Sequence, residues 1–207
     1  MAAWIFHVWG RCILFFSGWK VVRNGHDILP DKCVVVAAPH TSNFDFPIAR
    51  SAFEILRMPV RFTIKKEWLS SPLGWLMRSL GAIGIDRNPN PGVEKNSQVE
   101  AMAALFSRHE KLAILVTPEG SRSLRTEWKT GFYHVARLAG VPMVLGYMDY
   151  GKREAGIGKI IYPGPDMEAD MREIMEFYSG IQARFPEKFS VDTRYFIKPD
   201  QTGLPKT

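Results

Sequence analysis

Short runs of consecutive apolar residues recur along the chain, and segments with helical spacing lie between them. Runs at residues 32–38 and 111–117 are bounded by turn residues, and this pattern predicts buried strands. Shorter runs at residues 60–64, 142–147 and 159–162 predict three further strands. Because strands that alternate with helices form layered structures, the pattern indicates an α/β fold with helices against a sheet.

Helices are predicted where apolar residues return every three or four positions. These segments are residues 48–56, 97–107 and 130–138, and a last helix that Asp166 or a neighbour caps and that reaches about residue 184. Residues 68–80 mix large apolar side chains with a single arginine. That segment fits either a core helix or a second surface that contacts a membrane.

The most apolar segment of the chain lies at its N-terminus, in residues 4–22. As a helix it would be about 28 Å long, just enough to cross a hydrocarbon core. However, His7 and Arg11 interrupt it, and they fall near one helical stripe together with Gly18. We therefore interpret it as a helix that lies in the membrane interface, the alternative being a helix packed into the core.

Composition supports a globular domain with a basic surface. The chain has 207 residues, of which 46% are hydrophobic and 23% charged, with a formal net charge of +6. Two cysteines give neither a disulfide framework nor a cysteine metal site. No nucleic-acid motif accompanies the positive charge, and the six tryptophans and 13 phenylalanines favour an anionic lipid surface as partner. We expect a membrane-interface helix in residues 1–23 and a single α/β domain in residues 24–207.

Candidate chemistry follows the first strand. Pro39 ends the apolar run, and His40 and Asp45 come next with four residues between them. Imidazole is the side chain that exchanges a proton near neutral pH, and a carboxylate beside it fixes its tautomer and stabilises its cation. A turn after Pro39 would bring the two side chains together. A histidine in a strand-end turn with an exposed aspartate is the alternative.

A second polar cluster follows the strand at residues 111–117. It reads Pro118-Glu119-Gly120-Ser121-Arg122-Ser123. Together, the two strand ends resemble the glycerophospholipid acyltransferase family, which includes the lysophosphatidic acid acyltransferases. The family's first motif, a histidine and an aspartate with four residues between them, is matched by His40 and Asp45. Its Glu-Gly-Thr-Arg-Ser motif is matched from Glu119 onwards, with Ser121 retaining the hydroxyl of the threonine.

Three more segments extend the resemblance over residues 30–150. A Lys-Lys-Glu-like segment begins at Lys65, and a Gly-x-Ile-Asp-Arg-like segment ends at Arg87. The fourth family motif, an apolar strand of Val-Pro-Ile-Val-Pro type, is matched from Val141, but the chain keeps only its first proline, Pro142. The order and spacing of the motifs are together more specific than any one of them.

The resemblance implies a mixed sheet flanked by helices and the transfer of a fatty acyl group. The donor would be acyl-CoA or acyl carrier protein, and the acceptor a lysophospholipid hydroxyl, foremost that of 1-acylglycerol 3-phosphate. His40 would be the general base, oriented by Asp45. Substrate-binding positions would be Glu119, Gly120, Ser121, Arg122, Arg87 and Lys65, with the three cations at the acceptor phosphate.

The family reaction requires no resident cofactor and no metal, and three scattered ligands such as His40, Asp45 and Glu119 are too few to predict a metal site. The expected location is the cytoplasmic face of the cytoplasmic membrane, as a peripheral or monotopic protein. Three alternatives stay open. They are the same chemistry on another lysophospholipid, a lyso-ornithine lipid or a glycolipid; a non-catalytic membrane-binding protein of the same fold; and a hydrolase that uses water as acceptor.

Overall fold

A computed structural model of the chain describes residues 2–85 and 96–196. Within these residues, seven strands form one sheet with the order β1-β7-β6-β2-β5-β3-β4. Five neighbouring strands, from β6 to β4, run in the same direction, while β7 pairs antiparallel with β6 and β1 runs parallel to β7. The strands are β1 Lys20–Val22, β2 Lys32–Ala37, β3 Val60–Lys65, β4 Ala82–Ile85, β5 Leu112–Val116, β6 Met143–Asp149 and β7 Glu154–Ile161.

Helices cover both faces of this sheet, which confirms the predicted mixed sheet flanked by helices. Two helices, α1 and α2, pack on one face, and α5, α6 and α7 pack on the other. The helices are α1 Ala2–Ser17, α2 Asp45–Ile55, α3 Lys66–Leu69, α4 Gly74–Ser79, α5 Asn96–Ser107, α6 Gly131–Ala139 and α7 Met167–Ser179, and a 3-10 turn follows at Pro186–Lys188.

The central strand β2 shows why the sequence carries continuous apolar runs and no alternation. Cys33 and Val35 are fully buried against α2, while Val34 and Val36 are fully buried in the cluster beneath α6 and α7. A parallel strand covered on both faces has no solvent side, so every position is apolar.

The N-terminal segment differs from its prediction. The predicted helix through residue 22 ends at Ser17, and Lys20–Val22 forms an edge strand that pairs with β7. Helix α1 packs antiparallel to α2, because Leu14 lies in one cluster with Ile48 and Gly10 lies against Ser51. A three-residue strand is too short to show a period of two, so the apolar pattern merged it with the helix.

Other element boundaries moved for local reasons. Strand β7 begins at Glu154, five residues before the predicted strand, and α7 ends at Ser179, five residues before the predicted end. Asp166 does cap α7, since its carboxylate accepts the backbone N–H groups of residues 168 and 169. Residues 68–80 form two short helices, α3 and α4, and the first already begins at Lys66.

In the part of the chain that the structure describes, no helix combines the length and apolar character needed to cross a bilayer.

Candidate active site

The two strand ends singled out by the sequence meet at one edge of the sheet. Strands β2 and β5 are parallel neighbours, and Val36 is in register with Val116. Their carboxyl ends therefore lie side by side, with His40 just beyond one and Glu119 just beyond the other. Ligand sites of open α/β sheets commonly lie outside the carboxyl ends of adjacent parallel strands.

The predicted pair of His40 and Asp45 is formed. The Nδ1 atom of His40 lies 3.2 Å from Oδ2 of Asp45, the first residue of α2. The same oxygen accepts the backbone N–H groups of Thr41 and Ser42 at 2.9 and 2.8 Å. Because a carboxylate accepts only, Nδ1 is the donor when Asp45 is ionised, and Nε2 is left as the basic nitrogen of a neutral ring.

Burial separates the roles of the two side chains. The Asp45 side chain is only 2% exposed, whereas that of His40 is 28% exposed. The carboxylate is thus shielded and held, while the imidazole remains accessible to a substrate. This is the arrangement that a general base with an orienting acid requires.

Glu119 lies beside the same strand end. Its Oε1 accepts the backbone N–H of His40 at 2.9 Å, and the residue is 4% exposed. Burial raises the pKa of Glu119 to about 7, with smaller lowering effects from the His40 N–H and imidazole. The sequence predicted Glu119 only as a substrate-binding residue and did not predict this contact with His40. Glu119 instead joins the two strand ends directly.

The loop after Glu119 carries exposed cations. Gly120 has a φ of +67°, which favours glycine, and the Lys129 side chain passes within 2.9 Å of where a Cβ would stand. The Ser121 hydroxyl accepts Nε–H of Arg125 at 3.3 Å, and Arg122 is exposed. Arg125 and Lys129 line a surface pocket together with Glu119, and Arg122 lies on the same loop.

Two of the predicted substrate-binding cations cannot be placed. Arg87 lies outside the described residues, and for Lys65 only its backbone position at the end of β3 is described. No group of three or more histidine, cysteine, aspartate or glutamate side chains within residues 2–85 and 96–196 is arranged to hold a metal ion.

An apolar cavity of about 210 Å³ opens beside His40 and Asp45. It lies between α2 and the sheet, and its walls combine small residues with a few large ones, among them Ala49, Ala52, Phe53 and Gly146. A methyl group on Gly146 would come within 3.3 Å of Phe53, so this glycine keeps the space open. The cavity suits a hydrocarbon chain that ends at the imidazole.

The departure from the fourth family motif lies away from this cavity. Leu145 stands where the family has its second proline, and it is fully buried in the cluster beneath α6 and α7. Its backbone pairs with Val36 in the centre of the sheet.

Sequence reasoning missed the residues that reach the site from the C-terminal half of the chain. The Tyr150 hydroxyl donates to Oδ1 of Asp45 at 2.7 Å, and the Arg184 guanidinium lies 4.4 Å from the centre of the Phe44 ring. No local pattern relates positions 105 residues apart. The one available signal was the end of β6, since Tyr150 follows that strand at the edge where His40 follows β2.

The C-terminal segment also holds the loop that carries Glu119. The backbone N–H of Trp128 donates to the buried Asp192 carboxylate at 2.9 Å, and Arg194 binds both that carboxylate and the carbonyl of Trp128. The hydrogen bonds with Arg194 and with the Trp128 N–H lower the pKa of Asp192 despite its burial. Asp192 and Arg194, near the end of the described residues, thus stabilise the loop that carries Glu119.

The fold is of the α/β class, with five parallel strands at its centre. Its site combines a buried aspartate, an accessible histidine and an apolar cavity, which suits general-base chemistry on a substrate with a hydrocarbon part. Comparison with known proteins agrees with that class. A family model described as "Acyltransferase" matches residues 20–145. The chain belongs to this acyltransferase family, which confirms the resemblance drawn from the motifs.

Curated relatives and a solved structure extend the comparison. The chain is 33% identical over 165 residues to a probable 1-acyl-sn-glycerol-3-phosphate acyltransferase of Mycoplasma genitalium, covering 70% of this chain and 58% of the relative. It is 30% identical over 142 residues to the 1-acyl-sn-glycerol-3-phosphate acyltransferase of Salmonella typhimurium, covering 67% and 56%. The chain thus spans a little over half the length of these relatives.

The fold matches the crystal structure of PlsC, the 1-acyl-sn-glycerophosphate (LPA) acyltransferase from Thermotoga maritima. The TM-score is 0.59 at 16% sequence identity, with 86% of this chain and 78% of that chain covered. At this identity, the likeness concerns the fold alone.

Proposed function

We propose that this chain is an O-acyltransferase that moves a fatty acyl group from acyl-CoA or acyl carrier protein to the free hydroxyl of a lysophospholipid. The proposed acceptor is 1-acyl-sn-glycerol 3-phosphate, and the product is phosphatidic acid. The observation that carries the proposal is the His40–Asp45 pair at the mouth of an apolar cavity. Membership of the acyltransferase family and the names of the curated relatives support the choice of reaction and acceptor.

The proposed chemistry needs one base and no protein nucleophile. Nε2 of His40 takes the proton of the acceptor hydroxyl as its oxygen attacks the thioester carbonyl carbon. The carbon–sulfur bond then breaks, and the departing thiolate receives the proton from the imidazolium. Asp45 holds the ring and stabilises the cation, and general-base assistance of this kind is worth about 10²- to 10⁴-fold in rate.

The two sides of the site suit the two ends of the reaction. The apolar cavity beside His40 would take the hydrocarbon chain of the donor, because burial of each methylene contributes about 0.8 kcal/mol. Arg122 would bind the acceptor phosphate, with Lys65 and Arg87 as further cations, since guanidinium groups bind phosphate oxygens in pairs. Gly120 and Ser121 would let the backbone of this loop come close to the acceptor.

We further propose that the protein works on an anionic membrane surface, with the cytoplasmic membrane as the expected one. Register places the end of α1 at the same sheet edge as His40, because Lys20 pairs with Glu154 and Glu154 pairs with Asp149 at the end of β6. Exposed large apolar side chains lie near this edge, and exposed cations accompany them. They are Phe15, Phe16, Phe44 and Trp68, and Lys20, Arg122, Arg125 and Arg153, respectively.

The test is acyl transfer by the purified chain with matched variants. Wild-type protein with an acyl thioester and a panel of lysolipids should release thiol and form phosphatidic acid preferentially. His40→Gln should lower kcat by about 10²-fold or more without changing the thermal unfolding midpoint. His109→Gln, a change at an exposed histidine outside the site, is the control and should keep full activity.

Each alternative has its own outcome in this assay. Preferential acylation of a lyso-ornithine lipid, a glycolipid or another lysophospholipid would retain the chemistry and replace the acceptor. Thiol release at an undiminished rate without any acceptor would identify a hydrolase. Absence of thiol release with every acceptor would favour a non-catalytic lipid-binding protein, and full activity of His40→Gln would refute the role of His40.

A further inference from the structure

Tyr150, the residue that directly follows β6, donates a hydrogen bond to the buried Asp45 carboxylate. Oδ2 of Asp45 takes the contacts of Thr41, Ser42 and His40, all from its own turn. Oδ1 accepts the Tyr150 hydroxyl at 2.7 Å. With every local contact on one oxygen, the other oxygen depends on this distant hydroxyl to fix the plane of the carboxylate.

Three neighbours hold the tyrosine in place. Its ring meets that of Trp19 edge to face, with centroids 4.8 Å apart. Its backbone N–H donates to the carbonyl of Gln182 at 2.9 Å, and the Arg184 guanidinium lies 5.9 Å from its ring centre. Elements from both ends of the chain therefore converge on one side chain that touches Asp45.

The hydroxyl is a stable donor in this position. Burial raises the pKa of Tyr150 above its usual value, and its hydrogen bond to the Asp45 carboxylate raises it further. The phenol therefore keeps its proton throughout the neutral range, and an ionised carboxylate can only accept it. A hydrogen bond to a charged partner is stronger than one between neutral groups.

We propose that Tyr150 is a positioning residue, which fixes the Asp45 carboxylate so that Nδ1 of His40 is held as a donor and Nε2 is aimed at the substrate. This inference rests on the acyl transfer proposed above. The resemblance drawn from the sequence assigned no role to this position, which lies beyond the last matched motif strand.

The decisive variant is Tyr150→Phe, which keeps the ring against Trp19 and removes only the hydroxyl. We expect kcat to fall about 10-fold, the loss typical of a hydrogen bond to a charged group, with KM for both substrates unchanged within about twofold. Arg184→Met should give a smaller fall, because Tyr150 then still reaches Asp45 but is held less firmly.

Tyr133→Phe is the matched control. The Tyr133 hydroxyl donates to an Asp170 carboxylate oxygen at 2.8 Å, and Tyr133 is a fully buried residue of α6, on the other face of the sheet. Tyr133→Phe removes a tyrosine–aspartate hydrogen bond of nearly the same length as the one removed by Tyr150→Phe. It should therefore lower the unfolding midpoint at least as much as Tyr150→Phe does, while leaving kcat unchanged.

A second readout does not depend on activity. The Nδ1–H proton of His40, hydrogen-bonded to the Asp45 carboxylate, should give a downfield signal in nitrogen-15-edited proton NMR spectra. This signal should be absent from His40→Gln. We expect the signal in the wild type and in Tyr133→Phe, and its broadening or loss in Tyr150→Phe. An equal signal in Tyr150→Phe, or an unchanged kcat, overturns the proposal. Failure of the wild type to transfer acyl groups would refute the proposed function instead, and the NMR signal would still decide the role of Tyr150.

Discussion

On the face of the sheet covered by α6 and α7, large aromatic side chains fill the space between helices and strands. Phe132, Tyr133 and Tyr178 are all fully buried there. On the face covered by α2, small residues such as Ala49 and Ala52 form part of the lining of the corresponding space, and a cavity remains. Both faces bury the same strands, but the side chains that meet the strands differ in size.

The difference indicates that the two faces have different roles. The aromatic face supplies stability and also steadies the strand ends, because the Tyr178 hydroxyl donates to the carbonyls of Val36 and Gly146 at 2.6 and 3.0 Å. The α2 face gives up packing contacts at the cavity and supplies the space beside His40.

Glu119, whose carboxylate joins the strand ends between the two faces, should give the largest stability effect. Its pKa rises from 4.5 to about 7 on folding, so the carboxyl favours the folded state at low pH, and this contribution is lost as pH rises through 7. At pH 8 this shift lowers the unfolding free energy of the wild type by about 3 kcal/mol relative to its value at low pH. The unfolding free energy of Glu119→Gln relative to wild type should therefore grow by up to about 3 kcal/mol between pH 4.5 and pH 8.

Urea unfolding at several pH values measures this difference. The exposed Glu110 provides the control, since Glu110→Gln should change stability almost equally at both ends of the range. If the unfolding free energies of Glu119→Gln and the wild type change equally with pH, the Glu119 carboxyl does not destabilise the folded state at high pH.

The same alanine-to-leucine change on the two faces should have different consequences. Ala136→Leu, at a fully buried position of α6, should cost about 1–3 kcal/mol because the core there is already filled. Ala52→Leu projects into the cavity and should cost less than about 1 kcal/mol.

Acyl-chain preference distinguishes the two variants further. In competition assays with donors of graded chain length, Ala52→Leu should favour shorter chains, whereas the folded fraction of Ala136→Leu should keep the wild-type preference. Equal destabilisation by the two changes, or an unchanged preference in Ala52→Leu, would contradict the assignment of the cavity to the acyl chain.

The outer surfaces of the helical layers should differ in membrane binding. Helix α1, on the cavity face, exposes Phe15 and Phe16, so the double change to serine should weaken sedimentation with anionic vesicles by about 10-fold. Leu138 is equally an exposed apolar residue, but it lies on α6, and Leu138→Ser should bind as the wild type does. If both variants lose vesicle binding to a similar extent, the sheet edge near His40 is not the surface that binds the membrane.

Much of the site was predictable from the sequence because its parts are local. His40 and Asp45 are joined by a single turn, and two apolar runs of five or six residues specify adjacent buried strands. Boundaries were less predictable where tertiary pairing competes with local pattern. Lys20–Val22 continues the apolar pattern of α1 but joins the sheet, because β7 offers a partner edge.

The amino-acid sequence alone determined the alternation of strands and helices, the histidine–aspartate pair and the basic loop after Glu119, because each depends on residues close together along the chain. Only the tertiary structure decided that Glu119 binds the His40 backbone, that Tyr150 holds Asp45 and that Asp192 holds the loop. It also decided where the cavity lies. Such contacts join positions tens to more than a hundred residues apart, and hydrogen bonding and packing in the folded chain select them without leaving a local pattern.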